Sequence, residues 1–296
     1  DHNLEESRLP SHMTLDLNDD GELELLLNYV PRESKKEKGW LGCFNSDGNL
    51  RWKFEYGQGL TLRDRDLEPF FAHSFFYYLE LADRPLILTV ARHSTWYPAQ
   101  VALLEPATGA LIDQYWHPGF FYSHLLHDFD RDGDVELLLG GVNNPGFGLG
   151  RPALVLIDLP FHTNTLESAK QNFFAPANSK EVAYFLFPQP DSFTARRIGA
   201  GICGLSALPD SKLQIALGQP PDNLLYYYLS DSFEIDDLRP SDMYISHHDR
   251  LAKEGFLDHS FSIAELANLT RIERFPTAPD ANSRQVQALF DRDQGP

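Results

Sequence analysis

Short apolar stretches separated by polar turns recur along most of this 296-residue chain. The apolar stretches are rich in Leu, Val, Ile and aromatic residues, while the segments between them carry Gly, Pro, Asn and Asp. Equivalent third strands are predicted at residues 40–44, 100–104, 153–157 and 224–229, and fourth strands at 50–54 and 111–116. The pattern therefore predicts an all-β body built from repeated four-stranded units.

Two of these units begin with closely similar sequences. Residues 11–27, SHMTLDLNDDGELELLL, return as residues 123–139, SHLLHDFDRDGDVELLL, at a constant offset of 112 (128 − 16). A constant offset over the whole segment indicates an internal repeat. A weaker copy at offset 61 (86 − 25) places His73 on His12, and a further copy at offset 190 (215 − 25) aligns residues 215–218.

Four units are therefore recognisable, and insertions separate them at residues 57–70 and 158–195. Residues 182–187, inside the second insertion, fit either a strand of the third unit or part of a fifth unit. Four short strands per unit at this spacing are typical of a β-propeller.

The two similar segments each contain a loop with oxygen side chains at loop positions 1, 3, 5 and 9 and Gly at position 6. This is the first part of the EF-hand ligand pattern, but a strand follows where an exit helix would begin, so the loop joins two strands. Closely packed carboxylates repel one another without a counter-ion, which favours bound calcium over a simple Asx-rich hairpin turn. The loop residues are Asp16, Asn18, Asp20, Glu22 and Glu24 in the first copy, and Asp128, Asp130, Asp132, Asp134 and Glu136 in the second.

These loops resemble the D-x-D-x-D-G-x-x-D loops of FG-GAP/VCBS repeats, which build integrin-α-type β-propellers. The resemblance implies that each loop joins the first two strands of a blade and coordinates calcium. Side chains at positions 1, 3, 5 and 9 would be ligands, and a backbone carbonyl would coordinate at Glu22 and Asp134. Both copies have Glu at position 9, where the family usually has Asp. The resemblance predicts a calcium-stabilised propeller of four recognisable blades, with five blades or part of a larger propeller as alternatives.

Three histidines, His12, His73 and His124, fall at the same position of three successive first strands in this alignment. The first strands of propeller blades line the central channel, so the three imidazoles would lie at one height. Three imidazoles are the ligand set of an open transition-metal site. The alternative, which we favour, is that each ring bonds to a neighbouring backbone and holds the strands in register.

The loops between the second and third strands emerge opposite the acidic loops. They mix aromatic rings with amides and hydroxyls, which suits a protein or carbohydrate partner. Packing of Trp96 and Tyr97 between blades explains that aromatic pair equally well. The candidate binding residues are His93, Trp96, Tyr97, Asn143, Asn144 and Phe147.

The composition and charge of the chain argue against nucleic-acid binding and membrane insertion. The formal charge of −18 and the lack of a basic patch beyond residues 32–38 argue against nucleic-acid binding. No apolar stretch approaches the ~20 residues that span a bilayer, so we expect no membrane insertion by this chain. No signal peptide precedes residue 1, and we expect an extracytoplasmic or secreted protein, as the soluble part of a longer chain. The two cysteines, Cys43 and Cys203, favour buried free thiols over a disulfide.

The pattern becomes helical near residue 241. Ser262 followed by Glu265 is typical of a helix N-terminus, and residues 276–296 are rich in Pro, Asp, Asn and Ser. We therefore predict a propeller over residues 1–240, a helical segment over 241–275 and a loosely ordered tail over 276–296.

No catalytic constellation stands out. Ser11 and His12 are adjacent, so on a strand they point to opposite faces, and there is no G-x-S-x-G elbow. The sequence favours a non-enzymatic binding module for a protein or carbohydrate. A carbohydrate-active lyase or hydrolase on a propeller scaffold is the alternative, because fold alone does not determine function.

Overall fold

The computed structural model describes residues 12–18, 20–29, 39–57, 61–62, 65–66, 71–81, 84–93, 98–129, 133, 135–144, 149–159, 181–209 and 212–275. These residues form four antiparallel sheets of four or five strands, one two-stranded ribbon and three helices. The predicted all-β body is confirmed. The chain divides into two compact units, residues 1–117 with 162–171, and residues 118–161 with 172–296.

The first unit contains two four-stranded sheets in which strands consecutive along the chain pair with each other. The first sheet comprises β1 (His12–Leu15), β2 (Glu24–Tyr29), β3 (Trp40–Phe44) and β4 (Leu50–Glu55). The second comprises β7 (Phe71–Glu80), β8 (Pro85–His93), β9 (Ala99–Leu104) and β10 (Leu111–His117). The ribbon of β5 (Thr61–Leu62) and β6 (Arg65–Asp66) comes between them in sequence.

Polar contacts join the two sheets of the first unit at Trp52 and Tyr56. The indole N–H of Trp52 donates to the carbonyl of Pro106 at 2.9 Å. The hydroxyl of Tyr56 shares a hydrogen bond with that of Thr89, also at 2.9 Å. Both aromatic side chains are buried, so their polar atoms need these partners.

The second unit also contains two meander sheets. The first comprises β11 (Gly119–His127), β12 (Glu136–Asn143), β13 (Arg151–Asp158) and β14 (Glu181–Leu186), with the late strand β19 (Glu273–Phe275) added beside β14. The second comprises β15 (Gly201–Ala207), β16 (Leu213–Gln219), β17 (Asn223–Leu229) and β18 (Ile235–Pro240). The strand predicted at residues 182–187 is observed at Glu181–Leu186 as the fourth strand of the third sheet, which is the first of the two alternatives.

Three helices belong to the second unit: α1 (Asp191–Ala195), α2 (Asp242–Lys253) and α3 (Ile263–Leu269). The face of α2 that carries Tyr244, His248 and Leu251 is buried, at the i, i+4, i+7 spacing of one helical stripe. The hydroxyl of Ser262 accepts the N–H of Glu265, which confirms the predicted N-terminus of α3.

The helices α2 and α3, like β19, lie within the predicted segment 241–275. The predicted tail, residues 276–296, lies outside the described residues. Within the described part of the chain, every helix falls short of the length and apolar character that crossing a membrane requires.

Candidate metal centres

The first acidic loop folds around the carboxylate of Asp16. Its Oδ1 accepts the N–H of Asn18 at 3.3 Å and that of Asp20 at 3.2 Å, and its Oδ2 accepts the N–H of Gly21 at 2.8 Å. Gly21 has a φ of +85°, a conformation that residues with a Cβ rarely adopt. The sharp turn expected at loop position 6 is therefore present.

Asp20 sits inside the same turn. Its Oδ1 accepts the N–H of Glu22 and its Oδ2 accepts the side-chain amide of Asn18, at 2.8 and 2.7 Å. These hydrogen bonds, that of Glu22 first, lower the pKa of Asp20 and keep it ionised. The side chain of Glu22 instead accepts a hydrogen bond from the hydroxyl of Ser46. The side chains of Asp16, Asn18 and Asp20 therefore point into the turn.

Glu24, at loop position 9, reaches back across the loop. It is only 3% exposed, its Oε2 accepts the N–H of Leu17 at 2.8 Å, and its Oε1 pairs with Arg51 at 2.9 Å. A buried carboxylate is costly unless it is paired and hydrogen-bonded, and here both oxygens have partners. Glu at this position therefore closes the loop.

The second acidic loop repeats this geometry. Glu136 is also 3% exposed, and its Oε2 accepts the N–H of Phe129 at 2.6 Å. The N–H of Gly133, with a φ of +101°, donates to Oδ2 of Asp128 at 3.1 Å. Both bonds match those of the first loop at the offset of 112. Asp130, Asp132 and Asp134 lie outside the described residues, so their role as ligands stays a prediction.

The three histidines of the predicted channel site do not occupy equivalent positions. His12 pairs with Leu27, and His124 pairs with Leu139, which corresponds to Leu27 in the repeat. In the second sheet, however, the residue opposite the corresponding Leu88 is Tyr77, whereas His73 pairs with Ala91.

His73 differs from the other two because the loop between the first two strands is shorter in its sheet. The connection between β7 and β8 spans residues 81–84, four positions shorter than the eight-residue acidic loop at 16–23. An alignment carried through the second strand therefore places β7 four residues out of register. Of the remaining pair, His12 is exposed and His124 is half-buried, and burial lowers the pKa of His124 to about 4.

The predicted partner-binding residues fall into two groups. His93, Asn143 and Asn144 are buried where strands end, with exposures of 0%, 6% and 6%. The N–H of His93 donates to Pro98 at 2.8 Å, and that of Asn144 donates to Pro118 at 2.6 Å. These residues hold the ends of their loops. The other residues of the prediction, Trp96, Tyr97 and Phe147, lie outside the described residues.

Both cysteines are free thiols, as favoured by the sequence. Cys43 is buried and Cys203 is half-buried. Burial raises the pKa of each to about 11, which keeps both protonated and unreactive near neutral pH.

A third candidate centre, which the sequence patterns do not reveal, lies in the second unit. Asp191, His248, His259 and Glu265 each offer one ligand-type atom, and these atoms all lie within 4.8 Å of one another. Nε2 of His248 is 2.7 Å from Oε2 of Glu265 and 3.2 Å from Oδ1 of Asp191. Nε2 of His259 is 3.3 Å from Oδ2 of Asp191 and 4.0 Å from Oε2 of Glu265.

Local structure explains how these side chains meet. Asp191 begins α1, His248 lies on the buried face of α2, His259 follows α2, and Glu265 stands in the first turn of α3. Asp191 and Glu265 are 74 positions apart (265 − 191), and no two of the four residues are three or four positions apart in the sequence. No short metal-binding motif therefore marks this cluster in the sequence.

The carboxylates of Asp191 and Glu265 lie close together in the four-residue cluster. Burial, followed by the charge of Asp191, raises the pKa of Glu265 to about 7. The hydrogen bond to Asp258 raises the pKa of His259. Burial beside a second carboxylate disfavours the charged form of Glu265, whereas a hydrogen-bonded carboxylate stabilises the protonated form of His259.

No family model matches the chain, and no curated protein is significantly similar to it. Among solved structures, the V. cholerae biofilm matrix protein Bap1 aligns with 79% of this chain at 12% identity and a TM-score of 0.35. The chain spans 39% of the Bap1 chain.

Proposed function

We propose that the protein is a non-enzymatic binding module of the β-propeller class, stabilised by calcium in the loops at residues 16–24 and 128–136. The observation that carries this proposal is the repeated loop geometry. In each loop the Glu at position 9 accepts the N–H at position 2, and the Asp at position 1 accepts the N–H of the Gly at position 6. Each loop joins the first two strands of a four-stranded meander.

The acceptor capacity of the loop supports a bound cation. An ionised carboxylate offers about four lone-pair sites, and the bonds described above use three on Asp16 and two on Asp20. The remaining lone pairs lie within one tight turn. Oxygen ligands at this density suit calcium, which takes 6–8 oxygens at about 2.3–2.6 Å.

The sheet topology supports different roles for the two ends of each sheet, with calcium binding at one end and partner binding at the other. In an antiparallel meander, the loop between strands 1 and 2 lies at the opposite end from the loop between strands 2 and 3. The calcium loops would stabilise one end. At the other end, buried His93, Asn143 and Asn144 anchor loops whose aromatic residues, Trp96 and Phe147, would contact a protein or carbohydrate partner.

The setting that best suits this activity is extracytoplasmic. Calcium sites of extracellular modules bind with dissociation constants of about 10⁻⁴–10⁻³ M, which match free calcium outside cells. The formal charge of −18 also suits a chain that binds cations and avoids nucleic acid.

The experiment that tests the proposal separates binding from stability. The chain and its variants Trp96→Ala and Asp128→Asn are applied to a glycan array and to immobilised candidate proteins, and their melting temperatures are recorded in calcium. We expect Trp96→Ala to abolish partner binding at an unchanged melting temperature. Asp128→Asn should lower the melting temperature and keep partner binding while folded. If Trp96→Ala unfolds the protein, or binds its partner as well as the parent, the proposed binding face is wrong.

A further inference from the structure

The four-residue cluster of Asp191, His248, His259 and Glu265 has the composition of a metal centre that differs from the acidic loops. It combines two imidazoles with two carboxylates, whereas the loops offer oxygen atoms alone. Imidazole nitrogen suits Zn²⁺ and its neighbours among the transition metals, and calcium takes oxygen ligands. The composition of the cluster therefore suits a different cation from the one that suits the loops.

The buried member of the cluster points to a ligand. His248 is 0% exposed, and among the described residues neither of its ring nitrogens has a partner with hydrogen-bond geometry. The 2.7 Å and 3.2 Å separations from Nε2 to Glu265 and Asp191 are short, yet the N–H direction of the ring meets neither oxygen well enough for a hydrogen bond. Oε2 of Glu265 and Oδ1 of Asp191 likewise have no such partner in this part of the chain.

The separations between donor atoms fit a small tetrahedral ion. Zn²⁺ binds nitrogen and carboxylate oxygen at about 2.0–2.2 Å, so two ligands of a tetrahedral ion lie ~3.3–3.6 Å apart. Four of the six pairwise separations are 2.7, 3.2, 3.3 and 4.0 Å, which bracket that value. Because all four atoms lie within 4.8 Å of one another, small shifts of these side chains would bring them onto one ion.

Neighbouring residues contact Glu265 and His259 on the side away from the cluster, as is usual for metal ligands in proteins. The hydroxyl of Tyr244 donates to Oε1 of Glu265 at 2.9 Å, which leaves Oε2 directed into the cluster. Oδ1 of Asp258 lies 2.7 Å from Nδ1 of His259, which fixes the ring with Nε2 inward. A carboxylate behind a histidine ligand is the usual device that orients the ring and raises its basicity.

Charge balance also favours a dication. Two carboxylates converge on a buried imidazole, and neither carboxylate forms an ion pair with Lys or Arg among the described residues. A dication would neutralise both. A proton shared among the same groups is the competing arrangement, and the experiment must distinguish the two.

We propose that Asp191, His248, His259 and Glu265 bind one divalent transition-metal ion, for which Zn²⁺ is the best fit. The ion fastens α1, α2 and α3 to one another, because its ligands come from these helices and from the segment between α2 and α3. Since Asp191 and His259 are 36% and 44% exposed, the ion can enter from solvent without unfolding the chain.

The test uses the untagged chain, stripped of metal on a chelating resin and then titrated with Zn²⁺ alone or Ca²⁺ alone. We expect one equivalent of Zn²⁺ to bind at this centre, and Co²⁺ in its place to give visible absorption bands of a low-coordinate nitrogen and oxygen site. His259→Gln should weaken Zn²⁺ binding more than about 100-fold, since loss of an outer partner alone costs about 10–100-fold. His259 is partly exposed, so this variant should fold; far-ultraviolet circular dichroism checks that it does.

His247→Gln is the matched control. It removes a neighbouring imidazole of α2 that pairs with Arg250 and lies outside the cluster, so Zn²⁺ affinity should not change. Asp128→Asn, in the acidic loop, should also leave Zn²⁺ binding intact, which keeps this proposal separate from that for calcium. If the stripped chain binds no Zn²⁺, or if His259→Gln and Asp191→Asn bind it as the parent does, the cluster is a proton-sharing network and the proposal is wrong.

Discussion

Glu136 accepts a hydrogen bond from the N–H of Phe129, seven residues earlier, at 2.6 Å across an acidic loop. Glu24 and Leu17 form the same bond in the first loop at 2.8 Å. We expect the carboxylate at loop position 9 to have two roles. Its oxygen accepts the N–H at position 2, and its negative charge contributes to the proposed calcium site. The two roles can be separated by substitution.

Glu136→Ala removes the acceptor and leaves a buried N–H without a partner. An unsatisfied buried donor costs about 1–3 kcal/mol, so we expect the free energy of unfolding to fall by this amount even without calcium. Glu136→Gln retains an acceptor oxygen and should cost less than half as much in calcium-free buffer. Urea denaturation measures both.

With calcium present, Glu136→Gln should fall further behind the parent. The substitution removes the charge from the second loop only, so the variant should lose the ~2.7 kcal/mol that calcium adds there at 100 times the dissociation constant and keep the gain from the first loop. If Glu136→Gln gains as much as the parent, Glu136 closes the loop without contributing to a cation site.

Alanine substitutions at two glycines with positive φ distinguish the cost of backbone strain from the cost of displacing a packed side chain. Gly48 has a φ of +83° and open space where a Cβ would stand, whereas Gly109 has a φ of +67° and lies against the indole of Trp52. We expect Gly48→Ala to cost about 1–2 kcal/mol through the left-handed conformation alone. Gly109→Ala should cost more, because it also displaces Trp52 and strains its bond to Pro106. Urea denaturation compares the two variants, and equal losses would show that Trp52 accommodates the methyl group.

His124 makes stability depend on pH. Burial lowers its pKa to about 4, while an unfolded chain titrates this group near the ordinary value of 6.5. The unfolded state therefore binds more protons between pH 4 and 6.5. The contribution of neutral His124 is complete above pH 6.5 and is lost as the pH falls towards 4, by at most about 3 kcal/mol.

The check compares urea denaturation at pH 7 and pH 4.5. His124→Asn should reduce the loss of stability between these values by about 2 kcal/mol relative to the parent. His12→Asn, at the equivalent but exposed position of the first sheet, is the control and should leave the loss unchanged. If both variants behave as the parent does, His124 is accessible to protons in the folded state.

The parts of this structure that depend on local chemistry could be predicted from the sequence. The third strands predicted at 40–44 and 224–229 are observed at Trp40–Phe44 and Asn223–Leu229, because apolar runs bounded by turn residues specify them locally. Ser262 caps its helix for the same reason. The loop turn at Gly21 follows from the conformational freedom of glycine.

Other parts could not be predicted, because they depend on register and on distant contacts. An alignment through the second strand places His73 on His12, but the shorter connection at residues 81–84 moves Tyr77 to that position instead. Sequence spacing identifies Glu265 as part of a helix start, yet its carboxylate contacts Tyr244 and lies 2.7 Å from His248. Spacing along the chain does not show which helices pack together.

Calcium titration of the metal-stripped chain shows whether the two acidic loops bind calcium. Isothermal calorimetry should detect two sites in the parent chain, with Asp16→Asn and Asp128→Asn each removing one. Asp47→Asn is the control, since Asp47 forms a similar acidic turn with Asn49 outside both loops and should leave both sites intact. We expect calcium to raise the melting temperature of the parent by several degrees. Absence of calcium-binding heat, together with identical melting curves with and without calcium, would contradict this expectation.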